Sequence, residues 1–309
     1  MDNIKNKIQS YKPNLSQSSL DLYVSKLKRF MKNKKLPFKT FNNVSEIMEV
    51  VNKTPNISTR KSILTSIVVY LQSSKKPNRK LIEEYRKPMI EYLEKENKKE
   101  FLQQKSQKQK EKWITMEEFV NVINTLYEEI KPFIKNKVLD KKQYYKLQSY
   151  VILRLFFDYP FRNNIGTLLI VKNEETLDDN KNYLVKGKDY KIILQNYKTS
   201  KKYGRKEYTI HKNLKNIIKI LLRHNKCGYL LCNVNMTDRM RPNNLTLTLQ
   251  KIFNDYTGKK VSSSILRHIQ ATEENKNKPS LEEQKKEENK IVDKFLHNGR
   301  MNQLYAKKD

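Results

Sequence analysis

The chain has 309 residues, room for about two domains of ordinary size. It carries 64 Lys and Arg against 33 Asp and Glu, a net charge of +31. Hydrophobic residues make up 37%, enough for packed cores, but no run of about 18 apolar residues occurs, so no membrane span is expected. The opening MDNIKNKIQS lacks the apolar stretch of a signal peptide. Two cysteines, Cys227 and Cys232, exclude a disulfide-rich secreted scaffold and are expected as reduced thiols of an intracellular protein. With His224 they fall one ligand short of a zinc site, so no metal is expected. An abundance of Asn and Ile beside Lys reflects compositional bias, but bias does not explain why acids fail to balance the lysines. Such an excess favours polyanions, and a basic surface gains affinity for DNA by releasing its counterions. Double-stranded DNA is the expected partner, and a location with DNA is the expected one.

In chain order, LSQSSLDLYVSKLKRFMKN places Leu20, Tyr23, Leu27, Phe30 and Met31 at helical spacing, with Ser16 to Ser19 offering caps. SEIMEVV predicts a short helix, and STRKSILTSIVVYLQ a longer one with Ile63, Leu64, Ile67, Val68 and Leu71 on a stripe. RKLIEEYRKPMIEYLEK is helical in pattern, with Pro88 expected to kink or split it. Residues 1–93 therefore read as a small all-helical DNA-binding unit. Residues 94–112 are nearly all charged or Gln and read as a linker or solvated helix.

A second domain, 113–309, opens at WITMEEFVNVI, where Thr115 and Glu118 have the spacing of a capping box. KKQYYKLQSYVILRLFFDY predicts a long buried helix ending at YPFRNN. YKIILQNYKTSKKYGRKEYTI predicts two strands flanking a basic turn with Gly204. NLKNIIKILLRH and SSSILRHIQATEE predict helices. PSLEEQKKEENKIVDKFLHN has a second capping box at Ser280 and Glu283 and an apolar face of Ile291, Val292, Phe295 and Leu296. Asn298–Gly299 then reads as a helix end, followed by a short last helix that carries Tyr305. The expected class is mainly α with a small β-sheet or hairpin, α+β.

The chain has no G-x-x-x-x-G-K-[ST] loop and no G-x-S-x-G elbow. Its four histidines, His211, His224, His268 and His297, are scattered. The remaining candidates are cationic and ordered: Arg162 in DYPFRNN, Lys198 in NYKTSKKYG, Arg267 in ILRHIQAT, His297 in KFLHNGR, then Tyr305. Taken singly, each has an ordinary structural explanation.

In that order they resemble the tyrosine recombinase (phage integrase) family. LRHIQAT and NYKTSKKYG are the most specific pieces of the resemblance, and they resemble integrases of transposons, large DNA viruses and virophages. The resemblance covers nearly the whole chain, with 1–93 as core-binding domain and 113–309 as catalytic domain. It implies Arg162 and Arg267 as the two arginines, Lys198 as the hairpin lysine, His297 as the late histidine and Tyr305 as the nucleophile. It implies a homo-tetramer on two DNA sites, and no cofactor. The chemistry suits these residue types. A phenol with a pKa near 10 is a weak nucleophile until its proton leaves. Guanidiniums stay charged and grip phosphate oxygens in pairs. An ammonium can protonate the departing 5′ oxygen.

The chain departs from that family at two points. Ser264 stands where H-x-x-R would have its histidine, with His268 on the far side of Arg267 as a possible substitute. Asn164 and Ile165 stand where an acid commonly follows the first arginine. Two alternatives remain open at this stage: a type IB topoisomerase-like relaxing enzyme, and a DNA-binding protein with a decayed site.

Overall fold

The computed structural model describes residues 2–31, 36–175 and 177–295, with backbone alone for Asp2 and for 290–295. It is mainly α with one small sheet, and it divides into two units: residues 1–104 with 279–309, and residues 105–278.

The first unit contains α1 (Asp2–Tyr11), α2 (Gln17–Leu27), α3 (Val44–Asn52), α4 (Ile57–Gln72) and α5 (Arg79–Phe101). Four of these helices start on a side chain that accepts an otherwise unpaired backbone N–H. Ser16, Asn43, Asn56 and Asn78 accept from Ser19, Glu46, Thr59 and Leu81. Such caps contribute about 1 kcal/mol each. Helix α4 is the apolar centre, with Ile63, Leu64 and Ile67 fully buried. Its Tyr70 and the Tyr85 of α5 both pack edge to face on Phe41, and the Tyr85 hydroxyl donates to the Phe41 carbonyl at 2.8 Å.

Pro88 does not split α5, which runs unbroken to Phe101. The ring removes the partner of the Glu84 carbonyl, and Glu84 is exposed, so water can reach it. The charged stretch 94–112 is thus helical over 94–101 and again over 107–110, with the break between them at the division at residue 104.

The second unit opens with a single turn, α6 (Gln107–Lys110), then α7 (Met116–Ile130) and α8 (Lys141–Asp158). The expected box starts α7: Glu118 N–H donates to Thr115 Oγ1 at 3.0 Å and Thr115 N–H to Glu118 Oε2 at 2.7 Å. A four-stranded sheet follows, β1 (Leu168–Val171), β2 (Asn182–Lys186), β3 (Tyr190–Leu194) and β4 (Lys206–Thr209), in that order across the sheet. β1 and β2 are parallel, and the other pairs are antiparallel. The expected hairpin is β3–β4, but its connection 195–205 is longer than a tight turn and holds a helical turn, α9 (Ser200–Tyr203). Leu168, Leu184 and Ile192 face the main core, while Tyr183, Val185 and Ile193 form a small cluster on the other face.

Helices α10 (Lys212–His224), α11 (Pro242–Thr257) and α12 (Ser263–Glu274) complete this unit. Cys227 and Cys232, expected as reduced thiols, are joined as a disulfide. Gly228, at φ 76°, turns the chain between them and brings their Cα atoms to 6.0 Å.

Helix α13 (Leu281–Phe295) starts on the expected Ser280–Glu283 box. The sequence grouped it with 113–309. Its start instead meets the end of α5: Leu281 N–H donates to Gln103 Oε1 at 3.0 Å, and Lys285 lies over the Phe101 ring. The apolar face expected at Ile291, Val292 and Phe295 involves side chains outside the description, as do Leu296, the helix end at Asn298–Gly299 and the last helix. Among the described residues no helix is long and apolar enough to cross a membrane.

Candidate functional site

Arg162 is delivered by the abrupt end of α8. Tyr159 leaves the helix in extended conformation, φ −141° and ψ 132°, and Pro160 has no N–H to continue it. The Tyr159 hydroxyl donates to the Thr209 carbonyl at 2.7 Å, and its ring stacks on Phe161 at 5.0 Å and on His211 at 6.2 Å. With Phe161 buried, Arg162 emerges exposed at the head of a 3-10 turn, Asn163–Thr167. That turn is pressed against the chain leading into α11. A Cβ on Gly166 would lie 2.5 Å from the Met240 carbonyl oxygen, and Asn163 Nδ2 donates to Pro242 O at 3.0 Å and Thr246 Oγ1 at 2.6 Å.

Arg267 comes from α12, whose buried face is Ile265, Leu266, Ile269 and Gln270. Gln270 is the anchor. Its Nε2 donates to the carbonyls of Phe156 at 2.7 Å and Phe157 at 3.0 Å, carbonyls of the last turn of α8 that have no helical partner. One side chain thus ties α12 to the end of the helix that presents Arg162, and Arg267 sits one turn before Gln270.

The charge of Arg162 reaches Arg267. Burial, and after it the charge of Arg162, pull Arg267 below its ordinary value. Neither arginine has an ion pair among the described residues. Arg267 Nε is buried without a hydrogen-bond partner, and so are Asn163 Oδ1 and Gln270 Oε1. These are the buried side-chain polar atoms without partners among the described residues, and all belong to the segments that carry the arginine pair. Native interiors rarely leave such atoms unmatched.

Lys198 is exposed in the β3–β4 connection. The chain before it is held by asparagines. Asn182, 3% exposed, accepts from the N–H groups of Gln195 and Asn196, both at 2.9 Å, and donates to the Asn196 carbonyl at 2.8 Å. Asn164 Nδ2 donates to that same carbonyl at 3.1 Å. Asn196 Nδ2 donates to Asn180 O at 2.7 Å. The Tyr197 hydroxyl closes the connection on Gly204 O at 2.6 Å. Arg205 is neutralised by Glu174 and Glu207 at 2.5 and 2.7 Å, whereas Lys198 has no acidic partner among the described residues.

The other expected residues are distributed as follows. Ser264 and His268 flank Arg267 on α12, and both are exposed. His297 and Tyr305 lie outside the described residues. Ile165, at one position where an orienting acid was sought, is fully buried. Asn164, at the other, faces the Lys198 segment. Sequence reading missed Gln270, Asn182, Asn164 and Asn196 as organisers. The signal available was the Asn density of FRNN, DDNKNY and QNYK, since Asn near turns commonly bonds backbone groups.

Chemically, two guanidiniums without carboxylate partners, one of them with a buried and unbonded Nε–H, have free donors of the kind that a tetrahedral oxyanion accepts from. The chain matches no family model, and no curated protein matches it.

Proposed function

We propose that the protein is a DNA breaking-and-rejoining enzyme of the tyrosine recombinase or integrase type. In this reading Tyr305 attacks a phosphodiester, the bond from phosphorus to the 5′ oxygen breaks, and a 3′-phosphotyrosine bond retains the energy for rejoining. Arg162 and Arg267 neutralise the charge that builds on the non-bridging oxygens, a preorganised electrostatic role. Lys198 gives a proton to the departing 5′ oxygen, and the phenolic proton leaves to solvent. His297 donates a hydrogen bond to the phosphate. The helical unit at the start of the chain grips the duplex through its basic faces, and two sites are brought together by a homo-tetramer.

The observation that carries this reading is the Arg162–Arg267 pair. Two like charges that act on one another without a carboxylate partner cost stability, and a bound phosphate removes that cost. The net charge of +31 supports DNA as the source of the phosphate.

The test is relaxation of negatively supercoiled plasmid in EDTA without ATP, beside a Tyr305→Phe control. It requires no knowledge of the target sequence. Relaxation by the wild type and not by the control is the expected result. Relaxation by both would remove Tyr305 from the role of nucleophile. No relaxation by the wild type or by a Ser264→His variant would favour a DNA-binding protein without catalysis.

A further inference from the structure

We infer that Asn164 is a positioning residue that sets the general-acid lysine, Lys198, against the phosphate held by Arg162; the inference rests on the function proposed above. Asn164 lies two residues after Arg162, and Asn196 two residues before Lys198. The bond from Asn164 Nδ2 to the Asn196 carbonyl, 3.1 Å, is the side-chain hydrogen bond that joins segment 162–167 to segment 195–205 among the described residues.

The bond is built to be held. A carbonyl oxygen has two lone pairs, and the Asn196 carbonyl uses both, one for Asn164 and one for Asn182. Asn182 wraps the adjoining N–H groups as well, so the backbone just before Lys198 is fixed on the sheet side by a buried amide. Asn164 then ties that fixed backbone to the arginine turn. Without it the lysine segment is still anchored to β2, but its register against Arg162 is lost.

The residue type matters. A carboxylate only accepts hydrogen bonds, so an acid at 164 would set a negative charge against the Asn196 carbonyl oxygen and break the link. The amide donates to that carbonyl and leaves the Arg162 charge free for phosphate. The cost of losing the link falls on proton delivery and leaves phosphate binding in place.

The chemistry separates these effects. When phosphorus–oxygen cleavage expels the 5′ oxygen, that oxygen must take the proton of the Lys198 ammonium. A 5′-bridging sulfur leaves as a stable thiolate and needs no proton. A duplex site is first recovered by selecting random DNA that becomes covalently attached to the wild type. Cleavage of that site is then measured with a 5′ oxygen and with a 5′ sulfur for wild type, Lys198→Ala, Asn164→Ala and the nearly isosteric Asn164→Asp. Equilibrium DNA binding and thermal unfolding are recorded for each.

Both Asn164 variants are expected to cleave the ordinary site at least tenfold more slowly, to bind DNA as the wild type does, and to recover on the sulfur site as Lys198→Ala does. Recovery of Lys198→Ala without recovery of the Asn164 variants would overturn the positioning role and leave the proposed function standing. An unimpaired Asn164→Ala would overturn it too. A Lys198→Ala variant as fast as wild type on the ordinary site would overturn the inference by removing the lysine from proton delivery. Failure of the wild type to attach to any DNA would overturn the proposed function, and the inference with it.

Discussion

Arg267 lies close enough to Arg162 for the charge of one to lower the proton affinity of the other, and no acid among the described residues separates or pairs them. Nothing local brings them together. One heads the 3-10 turn after α8, the other sits on α12, and Gln270 bonds α12 to the end of α8.

Charge removal at the exposed member should separate function from stability. Arg162→Gln deletes a like-charge contact without opening the core, so the melting temperature should hold or rise. Loss of one preorganised donor for a phosphorane should slow plasmid relaxation by about 10²–10³. A fall in melting temperature that tracks the fall in rate would make Arg162 a structural residue.

Sulfate mimics the tetrahedral phosphate. It stabilises folded proteins in general by exclusion, so the comparison must be between variants. Wild type should gain more in melting temperature at a given sulfate concentration than Arg162→Gln, because a ligand that binds only the native state adds to its stability. Equal gains would show that the pair does not bind the anion.

Gly166 tests the seating of the turn. An alanine methyl would lie 2.5 Å from the Met240 carbonyl oxygen, a backbone atom that cannot swing aside. Gly166→Ala should cost about 1–3 kcal/mol, as overpacking does, and should slow relaxation because Arg162 moves with the turn. Urea unfolding gives the first quantity. A cost below about 0.5 kcal/mol, the range of neutral surface changes, would show that the two segments part easily.

Gln270 carries the junction of α8 and α12. Gln270→Met keeps the apolar bulk but strips the Phe156 and Phe157 carbonyls of their donor. Leaving a buried acceptor unmet costs about 1–3 kcal/mol. The variant should lose that much in urea unfolding and should also lose the sulfate response, since the arginines are no longer held together. Retention of the response would locate the junction elsewhere.

Acid should loosen the start of α7 through Glu118. The Thr115 N–H, opposed by burial and aided by Lys259, holds this carboxyl below its ordinary 4.5. A carboxyl lowered in the folded state stabilises it above the unfolded value, and the contribution fades as pH falls through the lowered folded value. Glu118→Gln should therefore be less stable than wild type at neutral pH, with the gap closing as the solution is acidified below 4.5. Thermal melts across that range measure the gap. A gap that widens on acidification would contradict the sign of the shift.

What the sequence determined by itself was local. Apolar residues at three- and four-residue steps define the helices, because a helical face repeats at that interval wherever it is buried. The boxes at Thr115–Glu118 and Ser280–Glu283 close within a single turn and so are legible in four letters. The β3 and β4 strands stand out by their β-branched and aromatic runs. The runs of β1 and β2, LLIV and NYLVK, are no shorter, but they pair with one another in parallel, so no hairpin signal marks that pair and pairing with neighbouring strands decides them. Continuity of α5 through Pro88 depends on where the freed carbonyl points, and the joining of Cys227 to Cys232 depends on the turn at Gly228. The candidate site divides in the same way. Arg162, Lys198 and Arg267 could be named from their motifs, but the joining of the segments that carry them could not. It rests on amide side chains, Gln270, Asn163, Asn164 and Asn182, that reach backbone groups distant in sequence. Such bonds have no period and no fixed spacing, so only the tertiary structure specifies them.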